Sequence, residues 1–291
     1  MATEQVRALK AALAGFIPDA RLIDDPLRTL AYGTDASFYR LVPQLVVKVV
    51  SEQEVSRLLQ LAAQFRTSLT FRAAGTSLSG QAITDSVLVM LEGNAWRDYA
   101  VLEDGRRIRL QPGIIGAQAN RYLAPLGRKI GPDPASIATC KIGGIAANNA
   151  SGMCCGVAQN SYQTLESMRL ILADGSVLDT GDAASREAFA ASHGKLLRGI
   201  SKLVGEVQAK PALAERIARK FKIKNTTGYS LNALVDYSDP IEVLQHLISG
   251  SEGTLGFIAE ITYRKVVEQA CKASAVVFVG EVAAACRAVG L

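Results

Sequence analysis

Hydrophobic positions in this chain fall into short blocks whose period changes along its length. Val6, Leu9, Leu13 and Phe16 recur at helical spacing, and Pro18 closes that element. Leu45 to Val50 is an almost unbroken apolar run, the pattern of a strand covered on both faces. Ser51-Glu52-Gln53-Glu54 then has the form of a capping box and opens a helix whose inward face is Val55, Leu58, Leu59 and Ala62. Ser68 to Arg72 predicts the next strand and Val87 to Leu91 another; this strand, helix, strand order is that of a small parallel sheet. Residues 107–111, 167–172 and 257–263 read as further strands, several with the polar alternation of antiparallel pairing. Helices are expected at 115–125, 184–191, 195–209 and 240–248. After Tyr263 a new pattern begins, with an apolar strand from Ala275 to Val279 and a helix from Glu281.

Three segments do not fit this alternation. Phe71 to Gln81 is a small-residue loop straight after an apolar run; its glycines and the hydroxyls of Thr76, Ser77 and Ser79 suit backbone amides converging on an anion. A Walker loop needs Lys-Ser/Thr after its second glycine, whereas Gly80 is followed by Gln81-Ala82, and the G-x-G-x-x-G fingerprint is missing too. Taken alone, an ordinary Gly/Ser turn between strands explains this loop equally well. Residues 131–152 are too rich in turn formers for a regular element and carry only Asp133 and Lys141 as charges. A loop so long and so apolar is expected to be functional or buried against a ligand. Ser249 to Ile258 repeats the logic, with Gly250, Gly253 and Gly256 beside Ser251, Glu252 and Thr254. Three such loops suit one elongated ligand bearing phosphates, a sugar and a flat ring.

The stretches GTDASFYRLVPQLVVKV (33–49), FRAAGTSLSGQAITDSVL (71–88), LQPGIIGAQAN (110–120), GRKIGPDPASIATCKIGGIAANNASGMCCG (127–156), KNTTGYSLNALVD (224–236) and GSEGTLGFI (250–258) resemble, in order, the vanillyl-alcohol-oxidase/PCMH-type FAD flavoproteins. Within that family the chain is most similar to bacterial D-lactate dehydrogenases that join an FAD domain to an iron–sulfur domain. The resemblance implies an α+β, PCMH-type fold of two α/β subdomains with FAD between them. It divides the chain into a helical lead-in (1–40), the FAD-binding domain (41–265) and the start of a cap domain (266–291). By the same resemblance the chain is the FAD-binding part of a longer enzyme, with the catalytic base and any metal ligands beyond residue 291.

The resemblance also implies roles, position by position. Phe71, Arg72, Ala73, Ala74, Gly75, Thr76 and Ser77 match the pyrophosphate loop. Ala135, Ser136, Ile137, Ala138, Thr139, Cys140 and Lys141 match the stretch beside the flavin ring, and Pro132, Gly143 and Gly144 are further cofactor-binding positions by the same resemblance. Asn148, Asn149, Ala150 and Ser151 match a second contact near the diphosphate and ribityl chain. Glu252, Gly253, Thr254, Leu255, Gly256, Phe257 and Ile258 match the stretch that closes over the adenosine end. Some relatives attach FAD through a histidine in the first loop; here no histidine precedes His193, so non-covalent FAD is expected. The implied activity is oxidation of a small D-2-hydroxy acid, D-lactate first, with glycolate and D-2-hydroxyglutarate as alternatives. Hydride would pass to flavin N5, and electrons would leave to an iron–sulfur centre, cytochrome or quinone. The alternative class is a cofactor-binding module competent only with a partner polypeptide.

Composition sets the remaining limits. With 291 residues, 49% hydrophobic and 20% charged, the chain can bury a sizeable core. Met1 to Lys10 is not a secretory signal, and no apolar run approaches the length of a membrane span. A cytoplasmic location is expected, with peripheral contact at the inner membrane as a further option. The five cysteines include the vicinal pair Cys154-Cys155 but no C-x-x-C, which favours reduced thiols over a disulfide framework or a metal site. The net charge of +5 is mild, and its densest basic stretch is Arg216 to Lys224, where only Phe221 interleaves the cations, so nucleic acid is disfavoured. Neither His193 nor His246 has a sequence setting that marks a catalytic base. Lys222, Lys224 and Asn225 precede a Gly-Tyr turn that is able to approach the cofactor.

Overall fold

The apolar run after Pro43 becomes the centre of the first of two sheets in the computed structural model, which describes residues 2–152, 155–271, 273 and 275–289. Cys154 and Lys272 lie outside the described residues. The first sheet contains β1 (Leu22–Ile23), β2 (Leu45–Val49), β3 (Leu69–Arg72) and β4 (Val87–Leu91) in the order β1-β2-β4-β3. β2, β4 and β3 are parallel, and β1 adds antiparallel to β2 through Leu22–Val47 and Ile23–Val46. Both faces of β2 are covered: Leu45, Val47 and Val49 join one core, while Val46 packs with Ile23 and Leu88 on the other side.

The crossover from β2 to β3 is the helix Glu52–Gln64. Ser51 caps it, its Oγ accepting from the Glu54 N–H at 3.2 Å. Glu54 does not complete the reciprocal box. Its carboxylate instead accepts from the Val50 N–H at 2.8 Å and from both terminal nitrogens of Arg21 at 2.7 Å, because a bidentate guanidinium outcompetes one amide. Val55, Leu58, Leu61 and Ala62 are buried, and Leu59 is half-buried against them. The first helix, Glu4–Leu13, buries Val6, Leu9 and Leu13, but it ends before Phe16. Phe16 therefore leaves the helical phase and is exposed, and Ile17 fills the core position instead.

The second sheet is antiparallel, in the order β5-β6-β10-β8-β9, from β5 (Tyr99–Leu102), β6 (Arg107–Leu110), β8 (Leu165–Ile171), β9 (Val177–Asp179) and β10 (Phe257–Arg264). A two-stranded ribbon pairs β7 (Arg128–Lys129) with β11 (Val266–Val267). β10 was expected to alternate simply, and it does not. Its pairing with β8 slips between Ile258 and Glu260, a bulge that switches faces. Phe257 and Ala259 consequently point into the core shared with the first sheet, whereas Ile258, Ile261 and Tyr263 point into the other. That second core is closed by the helices Gly116–Leu123, Ile142–Ala147, Gly194–Gln208 and Pro240–Ile248.

Two further expectations fail. The stretch 131–152 contains a regular element after all, the helix Ile142–Ala147, since Ile142, Ile145 and Ala146 have a core to enter. Ala275 to Val279 forms no strand; Val276, Val277 and Phe278 are 81%, 74% and 93% exposed, and no strand of the described residues pairs with them. The helix after Glu281 is present as Val282–Val289.

His246 occupies the second core. Its ring stacks on Tyr237 with centroids 4.0 Å apart and meets the Tyr162 ring edge-on at 4.8 Å. Nδ1 donates to the Glu242 carbonyl at 2.7 Å, while Nε2 is buried without a partner among the described residues. Burial pushes its pKa down to about 4. Protonation is thus easier in the unfolded chain, and folding stability present above pH 6.5 is lost as pH falls toward 4. The loss attributable to this residue is about 3 kcal/mol. Urea midpoints measured from pH 7 to 4 should fall more steeply for the wild type than for His246→Phe; equal slopes would refute the assignment.

Candidate functional site

The loop after β3 begins at Arg72, opposite Met90, while its parallel neighbour β4 runs on to Leu91. The backbone N–H groups of Ala73, Ala74, Gly75, Thr76 and Ser77 donate no hydrogen bond among the described residues. These five residues line a cavity of about 660 Å³ at the carboxyl ends of β3 and β4, beside the start of β10. Gly75 adopts φ of +69°, a turn that a side chain would strain, and its carbonyl accepts from the Ala36 N–H at 2.9 Å. Arg72 fixes the loop from below. Its Nε donates to the Ala82 carbonyl at 2.7 Å and Nη2 to the Tyr32 carbonyl at 2.9 Å, so the guanidinium holds both ends of the turn. Burial lowers the pKa of Arg72, and Asp35 opposes that shift. Ser77 Oγ donates to Gln81 Oε1 across the loop.

The other two glycine loops reach the same cavity by docking on one short helix. The helix Ile142–Ala147 ends with carbonyls that need donors. Gly250 N–H donates to Ala146 O at 3.1 Å, and Glu252 N–H donates to Ala147 O at 2.8 Å. Asn148 Nδ2 donates to Glu252 Oε1 at 2.6 Å, joining segments 104 residues apart. At the helix start, a Cβ on Gly144 would lie 3.4 Å from Ala73 Cβ, so this helix and the first loop stand at van der Waals distance. Small residues at 73 and 144 are what allow the approach.

The wall contains Phe71, Arg72, Ala73, Ala74, Gly75, Thr76, Ser77, Ser136, Cys140, Lys141, Gly143, Gly144, Asn148, Ala150, Glu252, Gly253, Gly256, Phe257 and Ile258 from the sequence expectations. Pro132, Ala135, Ile137, Ala138, Thr139, Asn149, Ser151, Thr254 and Leu255 are not in it. Several of these serve the scaffold. Asn149, at φ of +50°, accepts from the Tyr162 N–H at 2.9 Å; Ser151 O accepts from the Asp133 N–H at 3.1 Å; Ile137 and Leu255 pack on the second core. The structure adds Pro112, Pro134, Val89, Leu91, Thr226, Thr227 and Gly228, among others. Thr226-Thr227-Gly228 repeats the hydroxyl–glycine signature of the other loops, a signal available in the sequence.

Three ionisable groups of the wall differ in commitment. Arg72 is held by carbonyls. Glu252 is held by Asn148, and burial raises its pKa. The Lys141 ammonium has no hydrogen bond or ion pair among the described residues, and burial, followed by repulsion from Arg97, lowers its pKa. The Cys140 thiol is buried, which pushes its pKa up and keeps it protonated. His193 and His246 are both absent from the wall. His193 is tied at the surface to Asp174, its Nε2 lying 2.9 Å from Oδ2.

Comparison with known proteins bears on what this cavity holds. A family model described as an FAD binding domain matches residues 43–181. The fold is that of alkyldihydroxyacetonephosphate synthase, with a TM-score of 0.59 over 91% of this chain and 42% of that one at 19% identity. Residues 43–181 match an FAD-binding domain, and the chain has the PCMH-type FAD-binding fold. Among relatives, D-2-hydroxyglutarate dehydrogenase of Escherichia coli strain K12 is 30% identical over 79% of this chain and 23% of its own length. Glycolate oxidase subunit GlcD of the same strain is 30% identical over 60% of this chain and 35% of its own. D-lactate dehydrogenase of Archaeoglobus fulgidus is 27% identical over 76% and 38%. The chain thus spans about a quarter of the length of the first of these relatives.

The site's residues fit such a cofactor. Unpaired amides at close range suit a diphosphate, and the volume lies in the range of cofactor pockets. Gly75→Leu should give protein that elutes from gel filtration without flavin absorbance, because the added side chain opposes φ of +69° and crowds Arg72 and Asp35. Full yellow stoichiometry in a folded Gly75→Leu protein would exclude this loop as the diphosphate site.

Proposed function

We propose that the chain holds and orients non-covalent FAD within a dehydrogenase of small D-2-hydroxy acids. The observation that carries the reading is the meeting of three separate glycine–hydroxyl loops around one cavity, with the Ala73–Ser77 amides unpaired at its wall. In this reading those amides bind the diphosphate, and Gly144 keeps the opposing helix close enough to confine it. Glu252 and Asn148 lock the loop that closes the adenosine end. Lys141 offers an uncommitted positive charge in the wall for an electron-rich or anionic group. When bound, FAD supplies the acceptor for a hydride taken from the α-carbon of the acid; the chain's part is binding, orientation and exclusion of water.

The names of the relatives share a chemistry, a hydroxyl next to a carboxylate, as in 2-hydroxyglutarate, glycolate and lactate. D-lactate leads the reading from sequence, and the relatives support glycolate and D-2-hydroxyglutarate equally. Non-covalent attachment is favoured by the absence of a histidine before His193 and by a Cys140 thiol that burial keeps protonated. Electron acceptors of the iron–sulfur, cytochrome or quinone type complete the proposal.

The test is spectroscopic. Acid precipitation of flavin-loaded protein should release all flavin to the supernatant, and flavin left in the pellet would overturn the non-covalent reading. Anaerobic addition of D-lactate, glycolate or D-2-hydroxyglutarate to the polypeptide as encoded should bleach the flavin band for at least one acid. Bleaching by dithionite alone would leave the FAD site standing and replace the self-sufficient dehydrogenase by a cofactor-binding module competent only with a partner polypeptide.

A further inference from the structure

Positive charge is unevenly distributed over the molecule. Between Gly194 and Lys224 the chain carries nine lysines and arginines against two glutamates, an excess larger than the +5 of the whole chain, so the remainder is net acidic. All of these cations are exposed, and Lys202 alone has an ion-pair partner among the described residues, Glu206 at 3.8 Å. Two helices carry most of them. Gly194–Gln208 and Pro211–Lys220 pack side by side and turn Leu197, Ile200, Val204, Val207 and Ile217 into the second core. The outer surface is not purely polar. Leu196, Leu203, Leu213 and Ile223 remain 42%, 50%, 39% and 63% exposed among the cations. Leu196 and Leu203 are separated by two helical turns, as are Lys195 and Lys202, so aliphatic and cationic side chains run as adjacent stripes.

We propose that this ridge docks the protein laterally on a bilayer rich in acidic lipid. Clustered, unpaired cations repel one another until an anionic surface neutralises them, and acidic headgroups do so continuously along both helices. The aliphatic stripe then enters the boundary between headgroups and acyl chains, as in amphipathic helices that lie in the interface plane. No helix of the described residues is long and apolar enough to cross a membrane, so the contact is at the surface. A nucleic acid would satisfy the cations but leave the aliphatic stripe in water. Phe221, the one aromatic residue of the stretch, is packed against the core and does not present a stacking face. The proposal is independent of the flavin reading.

Co-sedimentation of the flavin-loaded protein with vesicles tests it. Vesicles containing phosphatidylglycerol should pellet the protein at about 0.1 M salt and release it at several times that concentration, and pure phosphatidylcholine vesicles should not pellet it. Lys202→Glu/Arg216→Glu/Lys220→Glu should lower binding at least tenfold while flavin absorbance and thermal midpoint stay near wild type. Leu203→Asp/Ile223→Asp should also weaken binding, yet retain the salt dependence. Failure of the wild type to pellet with phosphatidylglycerol would overturn the proposal, as would undiminished binding by the triple variant. Tighter retention by a duplex oligonucleotide than by the vesicles at equal salt would overturn it in favour of nucleic acid.

Discussion

Everything around the cavity depends on backbone amides that the fold declines to pair. A strand that continued past Arg72, or a loop collapsed on itself, would satisfy the N–H groups of Ala73 to Ser77 and leave nothing for an anion. Neither happens, because the loop is held open at several points. Arg72 grips the carbonyls of Tyr32 and Ala82, Ala36 binds the carbonyl of Gly75, and Gly75 turns with a left-handed φ of +69°. Unpaired amides are costly when desolvated, so they persist at a cavity wall where water or a ligand reaches them.

The second requirement is that distant loops arrive at the same wall. The short helix Ile142–Ala147 is the common support. Its last carbonyls are completed by the amides of Gly250 and Glu252, its start touches Ala73 across Gly144, and its buried face enters the core under β10. The bulge in β10 contributes by sending Phe257 toward the first sheet and Ile258 toward the second core. Phe257 meets Phe71 and Trp96 with ring centroids 5.2 Å apart in each case, which ties the floor of the cavity to both sheets. Cofactor cavity and interlayer core are therefore continuous, and a change in either is felt by the other.

The same economy explains why polar residues near the site are mainly structural. Asn149 spends its side-chain oxygen on Tyr162, and Glu252 spends its carboxylate on Asn148. What remains open to a ligand is backbone amide, hydroxyl, a protonated thiol and the ammonium of Lys141. That set suits binding and orienting an anionic, planar cofactor that brings its own redox chemistry. It agrees with an FAD-binding domain of the PCMH type.

Local pattern by itself determined the parallel strands β2, β3 and β4, the helix between β2 and β3, and the longer amphipathic helices, since each buries a face whose period is written in consecutive residues. The glycine loops were legible for a similar reason: small residues and hydroxyls declare a close backbone approach before any partner is known. Tertiary structure decided the rest. Phe16 and Ile17 exchanged burial because the helix stopped at Leu13, and Glu54 chose Arg21 over its own helix end. The helix Ile142–Ala147 was hidden in a glycine-rich stretch because its stability comes from the core beneath it and the loop capping its end. Ala275 to Val279 has strand composition but, among the described residues, no neighbouring strand to complete its ladder. Which loops share a wall, and which of their polar groups stay unpaired, depends on contacts between segments more than a hundred residues apart, such as Asn148 with Glu252. No local pattern encodes such a contact, because its energy exists only once both segments are already in place.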